Sequence, residues 1–308
     1  MTHIATLVSS PQSPAIDLSV ADDIARLLPN GRPGAWLAQG IAIDVSFSPA
    51  GLDALDREAM WSALRAFADR CRARIDALPI DVIVQKNDSY RRKKLFLADM
   101  DSTMIGQECI DELADFVGLK QHVAAITERA MRGEIAFEPA LRERVALLAG
   151  LEDTIAAKVF DERITLTPGG PSLVRTMRAH GAHTALVSGG FTLFTQKVGE
   201  AIGFHEHRAN LLVVEDGQFA GRVAEPILGR EAKLAALLEL RRQHNLVEAE
   251  TLAVGDGAND LGMLAEAGLG VAYHAKPAVA AAAHGRIDHA DLTALLFAQG
   301  YRRDEFVE

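Results

Sequence analysis

Two carboxylates separated by one residue follow a short apolar run in the segment Asp99-Met100-Asp101-Ser102-Thr103. In extended backbone, residues i and i+2 point to the same side, so both carboxylates can face one substrate. One aspartate can then attack as a nucleophile while the other transfers a proton. Paired aspartates also occur as helix caps, but a position directly after an apolar strand favours chemistry. We therefore predict that Asp99 and Asp101 are catalytic.

A second acidic motif, Gly255-Asp256-Gly257-Ala258-Asn259-Asp260, follows another apolar run. Its glycines allow the backbone to approach a ligand closely. If the two motifs meet, four carboxylates repel one another, and each pair at about 4 Å costs roughly 4 kcal/mol at an effective dielectric constant of about 20. A hard divalent cation with oxygen ligands removes this repulsion, and the motifs contain no His or Cys that would favour a transition metal. The sequence therefore predicts a Mg²⁺ site.

Two further motifs suit a phosphate group. Ser188-Gly189-Gly190 offers a hydroxyl and backbone N–H groups at the start of a helix. Lys233 enters an apolar helix and can balance the charge of a phosphate while it keeps the nucleophile anionic. Taken alone, Ser188-Gly189-Gly190 is typical of a turn, and Lys233 is typical of a solvated side chain. The interpretation as a phosphate site therefore depends on the acidic motifs. His205 and His207 fit a surface loop better than a metal site.

Three short apolar runs place these motifs at the ends of strands. Residues 95–98, 184–187 and 251–254 each end in one of the motifs. Such runs are typical of parallel strands buried on both faces, and ligands bind at the carboxyl ends of these strands. About 80 mostly helical residues separate the first two runs, far more than one crossover needs. We predict an α/β domain over residues 94–308, with a Rossmann-like parallel sheet and a helical cap insert at about 107–165.

The first 88 residues have a different pattern. Strand-like and helix-like segments alternate there. The predicted strands are at 4–8, 41–47 and 80–84, with a further short strand near Trp36 and Leu37, and the predicted helices are at 21–28 and 57–78. This order predicts a small α+β domain over residues 1–88 that resembles the ACT domain, a regulatory module. The loop at residues 9–14 lacks the glycine that such regulatory domains often carry, so a role in dimerisation or stability competes with amino-acid binding.

Composition limits the class of protein. The chain has 308 residues, of which 49% are hydrophobic and 24% charged, as in ordinary globular proteins. A formal net charge of −10 argues against a nucleic-acid partner. No apolar run reaches the roughly 18 residues that a membrane span needs, and no secretory signal or disulfide framework is evident. We expect a cytoplasmic protein, compatible with a homodimer. The basic run 91–94 is interpreted as a solvated linker in preference to an anion-steering patch.

The order and spacing of the four motifs resemble the haloacid dehalogenase superfamily of phosphohydrolases over about residues 94–295. Within it, Ser102, Thr103 and the long helical insert resemble the phosphoserine phosphatase family. Further residues of that family match in the insert: Glu108, Met131, Phe137, Glu138 and the segment 141–145.

The resemblance implies hydrolysis of O-phospho-L-serine to L-serine and phosphate, the last step of serine biosynthesis. Asp99 would attack phosphorus and form an aspartyl-phosphate. Asp101 would protonate the leaving serine oxygen and then deprotonate the attacking water. The resemblance also implies that Mg²⁺ is held by the Asp99 carboxylate, the Asp101 backbone carbonyl and Asp256, with Asp260 supporting the site.

Substrate contacts are implied in the same way. Four residues would hold or orient the phosphoryl group: Ser188, Gly189, Lys233 and Asn259. In the cap, Glu108 would pair with the substrate ammonium, and Arg144 would make a two-point contact with its carboxylate. Met131 and Phe137 would close the pocket.

Other functions stay open from the residues alone. The phosphoryl group could pass to another alcohol such as homoserine, or the substrate could be a different small phospho-monoester. Phospho-accepting receiver domains also combine strand-end aspartates with a lysine. A signalling switch of that kind needs neither an acid/base at Asp101 nor a large cap, so the sequence favours an enzyme.

Overall fold

The computed structural model describes residues 2–131 and 134–308, without the side chains of Glu128, Ala130 and Met131. Within these residues, a four-stranded antiparallel sheet precedes a six-stranded parallel sheet, and helices cover both. The predicted α/β architecture with a preceding α+β region is confirmed.

The N-terminal region forms a sheet with strand order β2-β3-β1-β4 and two helices. Its elements are β1 (His3–Ser9), α1 (Leu18–Leu27), β2 (Arg32–Ala38), β3 (Ala42–Phe47), α2 (Arg57–Arg74) and β4 (Ile80–Lys86). Both helices begin at an aspartate whose carboxylate accepts a backbone N–H of the first turn, Asp17 for α1 and Asp56 for α2. Buried side chains such as Ile24 and Leu64 pack these helices against the sheet.

The first strand of the parallel sheet is followed by five helices, of which the first four form the cap. These elements are β5 (Leu95–Ala98), α3 (Cys109–Phe116), α4 (Lys120–Met131), α5 (Phe137–Ala146), α6 (Ile155–Arg163) and α7 (Gly170–Ala179). The two connections of the cap run side by side, because Ile105 forms a β-bridge with Leu166 and the side chain of Gln107 bonds to Thr165. The chain therefore enters and leaves the cap at one place in the fold.

The remaining elements complete the parallel sheet and add a small hairpin, β8–β9. They are β6 (His183–Phe191), α8 (Thr192–Ile202), β7 (Glu206–Asn210), β8 (Leu212–Glu215), β9 (Gln218–Val223), α9 (Arg230–Gln243), β10 (Thr251–Gly255), α10 (Leu261–Glu266), β11 (Leu269–Tyr273), α11 (Pro277–Ala282), β12 (Gly285–Ile287) and α12 (Ala294–Ala298). The strand order is β12-β11-β10-β5-β6-β7. Ala98 lies opposite both Val254 and Leu186, so the three polar motifs leave the sheet at one edge.

The N-terminal region packs on the parallel-sheet region through polar and aromatic contacts. The Asp81 carboxylate accepts backbone N–H groups from residues 288–290. The Trp61 ring stacks on His284, with centroids 3.9 Å apart and planes 7° from parallel. These contacts fix the two sheets against each other.

The interpretation of the basic run 91–94 as a solvated linker is wrong for two of its residues. Arg91 forms an ion pair with Asp44 at 2.8 Å and donates to the Ala298 carbonyl oxygen at 3.0 Å. Lys93 is buried. The linker runs between the two regions, so its alternate side chains are enclosed.

No helix in the described residues is both long and apolar enough to cross a membrane.

Candidate active site

Asp99 stands directly after β5, where the central strand reaches the edge of the sheet. It is 5% exposed, and its Oδ2 lies 2.6 Å from the Lys233 Nζ. Its backbone N–H donates to the Val254 carbonyl oxygen at 3.0 Å, which holds it in register with β10. Burial and then the Asp260 carboxylate raise the pKa of Asp99, against the opposing effect of Lys233. An ionised Asp99 therefore needs positive charge nearby.

Asp101 lies at the turn that follows and lines the same cavity as Asp99. The turn reverses at Ser102, whose φ of 56° is left-handed. The Cys109 backbone N–H donates to Asp101 Oδ1 at 3.1 Å and fixes the carboxyl group. Burial, followed by the charge of Glu108, raises the pKa of Asp101 to about 7. Near neutral pH this side chain can both give and accept a proton.

Three carboxylates converge at the edge of the sheet. Asp99, Asp256 and Asp260 each offer an oxygen, and these atoms lie within 4.8 Å of one another. Asp260 is fully buried and accepts the Gly257 N–H at 3.0 Å, while Asp256 accepts from the Thr103 hydroxyl at 3.1 Å. Burial and the Asp260 charge raise the pKa of Asp256 to about 6.

Lys233, in the first turn of α9, lies behind these carboxylates. Its Nζ is 2.6 Å from both Asp99 Oδ2 and Asp260 Oδ1, and the residue has no exposed surface. Burial alone would lower the pKa of Lys233, but the two carboxylates outweigh it and raise the pKa. One ammonium cannot neutralise three carboxylates, so the donor set fits a further cation with oxygen ligands.

The segment Ser188-Gly189-Gly190 forms another wall of the cavity, at the end of β6. The Ser188 hydroxyl accepts the Gly190 N–H at 2.9 Å. A Cβ at Gly190 would lie 2.8 Å from Asp101 Oδ2, and a Cβ at Gly189 would lie 3.3 Å from the Phe137 ring. Glycine is required at Gly190 because no side chain fits between the two chain segments.

The cap places charged side chains over this edge. Glu108 is the N-cap residue of α3, and its carboxylate accepts the Ser102 hydroxyl at 2.7 Å. Arg144 on α5 donates to the Thr127 hydroxyl at 3.3 Å and to the Ala140 carbonyl oxygen at 3.2 Å. Phe137 begins α5 and packs near Gly189. The side chain of Met131 lies outside the described residues.

One cavity of about 790 Å³ joins the sheet edge to the cap. It is lined by most of the residues singled out in the sequence: Asp99, Asp101, Glu108, Phe137, Arg144, Ser188, Gly189, Asp256 and Asn259. Lys233 and Asp260 lie behind the lining. His205 and His207 lie elsewhere: His205 is just before β7 and His207 is on it, and each ring forms a hydrogen bond with a threonine hydroxyl.

Sequence reasoning missed several residues of the cavity wall, including Thr127, Arg230 and Lys276. Arg230 precedes Lys233 by three positions and shares its face of α9, which helical spacing reveals. Lys276 follows β11, a fourth parallel strand, so recognition of that strand would have identified it. Thr127 had no signal in the sequence, because its place depends on how α4 packs against α5.

Comparisons with known proteins extend these observations. A family model described as haloacid dehalogenase-like hydrolase matches residues 96–265. The phosphoserine phosphatase of Albidiferax ferrireducens is 45% identical over 208 residues, which cover 66% of this chain and 88% of that protein. The phosphoserine phosphatase of Streptomyces coelicolor is 42% identical over 230 residues, which cover 74% of this chain and 56% of that protein. The chain thus spans little more than half of the second relative.

A solved structure resembles both regions of the chain. The crystal structure of a probable phosphoserine phosphatase from Vibrio cholerae, in unliganded form, aligns with a TM-score of 0.73 at 28% identity. The alignment covers 99% of this chain and 88% of that chain. The likeness therefore includes the N-terminal region as well as the parallel sheet.

Proposed function

Because this chain belongs to the haloacid dehalogenase-like hydrolases, we propose that it hydrolyses O-phospho-L-serine to L-serine and phosphate, the last step of serine biosynthesis. One observation carries this proposal. A single cavity is lined both by strand-end carboxylates with the segment Ser188-Gly189-Gly190 and by the cap residues Glu108 and Arg144. The first set suits a phosphoryl group, and the second suits the ammonium and carboxylate of an amino acid. Relatives named phosphoserine phosphatase support the same substrate.

The first chemical step is attack by Asp99 on phosphorus. A bond forms between an Asp99 oxygen and phosphorus, and the bond from phosphorus to the serine oxygen breaks. Asp101 gives its proton to the departing oxygen, so serine leaves as a neutral alcohol. The ion pair with Lys233 favours the ionised nucleophile. Whether Lys233 also contacts the phosphoryl oxygens stays a prediction.

The second step removes the phosphoryl group from Asp99. Asp101, now ionised, takes a proton from water, and the water oxygen bonds to phosphorus while the bond between phosphorus and the Asp99 oxygen breaks, which releases phosphate and restores the Asp99 carboxylate. A pKa near 7 suits both roles, since each protonation state is populated close to neutrality. The Ser188 hydroxyl, Gly189 and Asn259 line the cavity where the phosphoryl oxygens would lie. They would hold those oxygens through both steps.

The residues present fit a bound Mg²⁺. The Asp99 and Asp256 carboxylates and the Asp101 backbone carbonyl would hold it, with Asp260 fixed behind them by its bonds to Lys233 and Gly257. When bound, Mg²⁺ supplies positive charge that offsets the carboxylates and the phosphoryl oxygens. The ligand atoms that these residues offer are oxygens, as Mg²⁺ prefers.

Substrate selection lies in the cap. Glu108 would pair with the ammonium of phosphoserine, and Arg144 would bind its carboxylate through two N–H groups. Phe137 would close the cavity against Gly189. A closing role for Met131 stays a prediction.

A phosphatase screen tests the proposal. Phosphate release is measured with phosphoserine, phosphothreonine and sugar phosphates, in the presence of Mg²⁺ and of EDTA. We expect the highest kcat/KM for phosphoserine, loss of activity in EDTA and recovery with added Mg²⁺. A higher value for a sugar phosphate would contradict the assigned substrate. Added homoserine should leave phosphate release equal to serine release, whereas formation of phosphohomoserine would reveal phosphoryl transfer.

We also infer the organisation and setting of the protein. The proposed domains are residues 1–88 and 94–308, with the cap at about 107–165. We infer a cytoplasmic protein with a small-molecule substrate and without nucleic-acid or membrane partners, supported by the net charge of −10. A homodimer is tested by light scattering on the purified full chain.

A further inference from the structure

A second cavity, of about 270 Å³, lies at the junction of the two regions. Helix α2 contributes Met60, Trp61 and Leu64 to its wall, and the linker contributes Lys93. The opposite wall comes from the parallel-sheet region, at residues 248–249 and Gly268. The cavity is separate from the candidate active site, with which it shares no lining residue.

Lys93 brings a positive charge into this mostly apolar junction. The residue is 6% exposed, and its Nζ donates to the Ala249 carbonyl oxygen at 2.8 Å. In the part of the chain that the structure describes, this ammonium has no other hydrogen bond and no ion pair. An ammonium carries three donors, and buried charges are normally paired. Among the described residues, no carboxylate of the wall forms an ion pair with Lys93.

The other charges of the wall limit which anion fits. Lys86, Asp88 and Glu248 also line the cavity. Each is already engaged: Lys86 pairs with Asp53, Asp88 accepts the Tyr90 backbone N–H, and Glu248 pairs with Arg57. The Asp88 and Glu248 carboxylates repel a ligand with a second negative charge. Trp61 and its apolar neighbours on α2 instead favour contact with hydrocarbon. A single negative charge joined to a small apolar group matches this wall.

We propose that the junction cavity binds a small monocarboxylate that carries an apolar group, with its carboxylate on Lys93 and its apolar group against α2. The site lies at the amino-terminal ends of β5 and β10, because Lys93 precedes Leu95 and residues 248–250 precede Thr251. The carboxyl ends of the same two strands carry Asp99 and Asp256. The proposal does not rest on the proposed function, because it concerns binding alone.

The test uses Trp61 as the reporter. The chain has two tryptophans, so Trp36→Phe leaves Trp61 as the only one. The fluorescence of this full-length variant is titrated with 3-methylbutanoate, with the uncharged 3-methylbutanamide and with inorganic phosphate. We expect a saturable change with the carboxylate and an affinity at least about tenfold weaker for the amide, which cannot pair with the ammonium. Phosphate should give no saturable change.

Variants then locate the site. Lys93→Met should weaken binding of 3-methylbutanoate by about tenfold or more, whereas Lys94→Met, at the exposed neighbour, should leave it unchanged. If Lys93→Met does not fold, Met60→Phe fills the cavity while Lys93 remains, and it should abolish binding. Equal affinity for acid and amide, no saturable change with the acid, or unchanged binding in folded Lys93→Met would overturn the proposal. The comparison of acid with amide needs no variant inside the cavity.

Discussion

Asp99 and Asp101 are two residues apart in sequence, yet their surroundings give them different chemistry. Asp99 contacts an ammonium, whereas Asp101 contacts a backbone N–H and lies near the charge of Glu108. Burial raises the pKa of both carboxyl groups, but the Lys233 ammonium directly opposes this rise at Asp99, whereas the Glu108 charge adds to it at Asp101. The same residue type can therefore serve as nucleophile in one position and as proton donor in the other.

Replacement of Asp99 by Asn tests the nucleophile. Asn has the same shape but cannot form the acyl-phosphate, so we expect phosphate release from phosphoserine to fall by at least about a thousandfold. Lys233 keeps its ion pair with Asp260, so the variant should remain folded by circular dichroism. Full activity in this variant would rule out Asp99.

Replacement of Arg144 by Ala tests carboxylate recognition. Loss of a charged hydrogen bond should raise the KM for phosphoserine by about tenfold to a hundredfold, with a smaller change in kcat. Phosphoethanolamine lacks the carboxylate, so its kcat/KM should not change. Arg142→Ala is the matched control, because Arg142 is exposed on the same helix and pairs with Glu225. Equal losses for both substrates would point to a structural role for Arg144.

At the scale of elements, the site depends on how closely β6 approaches the loop after β5. The two segments meet at Gly190, where hydrogen in place of a side chain leaves room for the Asp101 carboxyl group. The register between β5 and β6 sets this separation, since Ala98 pairs with Leu186. A change at Gly190 therefore acts on Asp101 through packing.

Replacement of Gly190 by Ala should displace the Asp101 carboxyl group, because the new Cβ would lie 2.8 Å from Oδ2. A misplacement of about 1 Å is enough to reduce kcat by up to about a hundredfold. Gly262→Ala serves as control: a Cβ there, in α10, meets Leu234 at an ordinary 3.6 Å. Steady-state kinetics of both variants measure the change in kcat. A wild-type kcat in Gly190→Ala would contradict the close approach of Gly190 to the Asp101 carboxyl group.

At the scale of the whole molecule, the contact between the two regions should make stability depend on pH. Burial lowers the pKa of His284 to about 3, and its Nδ1 accepts the Gly270 N–H at 3.0 Å. The folded protein thus keeps this ring neutral, whereas the unfolded chain takes up a proton near pH 6.5. Below that pH the unfolded state binds more protons, so the contribution of His284 to stability is lost as pH falls.

His284→Asn separates this effect from other titrations. Asn can still accept the Gly270 N–H but neither stacks like imidazole on Trp61 nor titrates, so we expect lower stability near neutral pH. On acidification, the wild type should lose up to about 1.4 kcal/mol per pH unit more than the variant. Urea unfolding of both proteins at neutral and mildly acidic pH measures the difference. Parallel losses would show that His284 is not the responsible group.

The sequence by itself determined the parallel sheet and the acidic motifs at its edge. These features are local: a short apolar run indicates a buried strand, and the residues after it must lie at the carboxyl edge of the sheet. Asp99, Ser188 and Asp256 therefore meet as their positions in the sequence predict. The N-terminal pattern of strands and helices was readable for the same reason, since periodicity is a property of neighbouring residues.

Only the tertiary structure decided which side chains face each other across packed elements. Thr127 bonds to Arg144 because α4 lies against α5, and Lys93 is buried because the linker runs between two sheets. Neither fact has a local signal, since burial depends on the partner surface and not on the residue's own neighbours. Sequence periodicity does not determine the environment of polar residues that lie outside recognisable motifs.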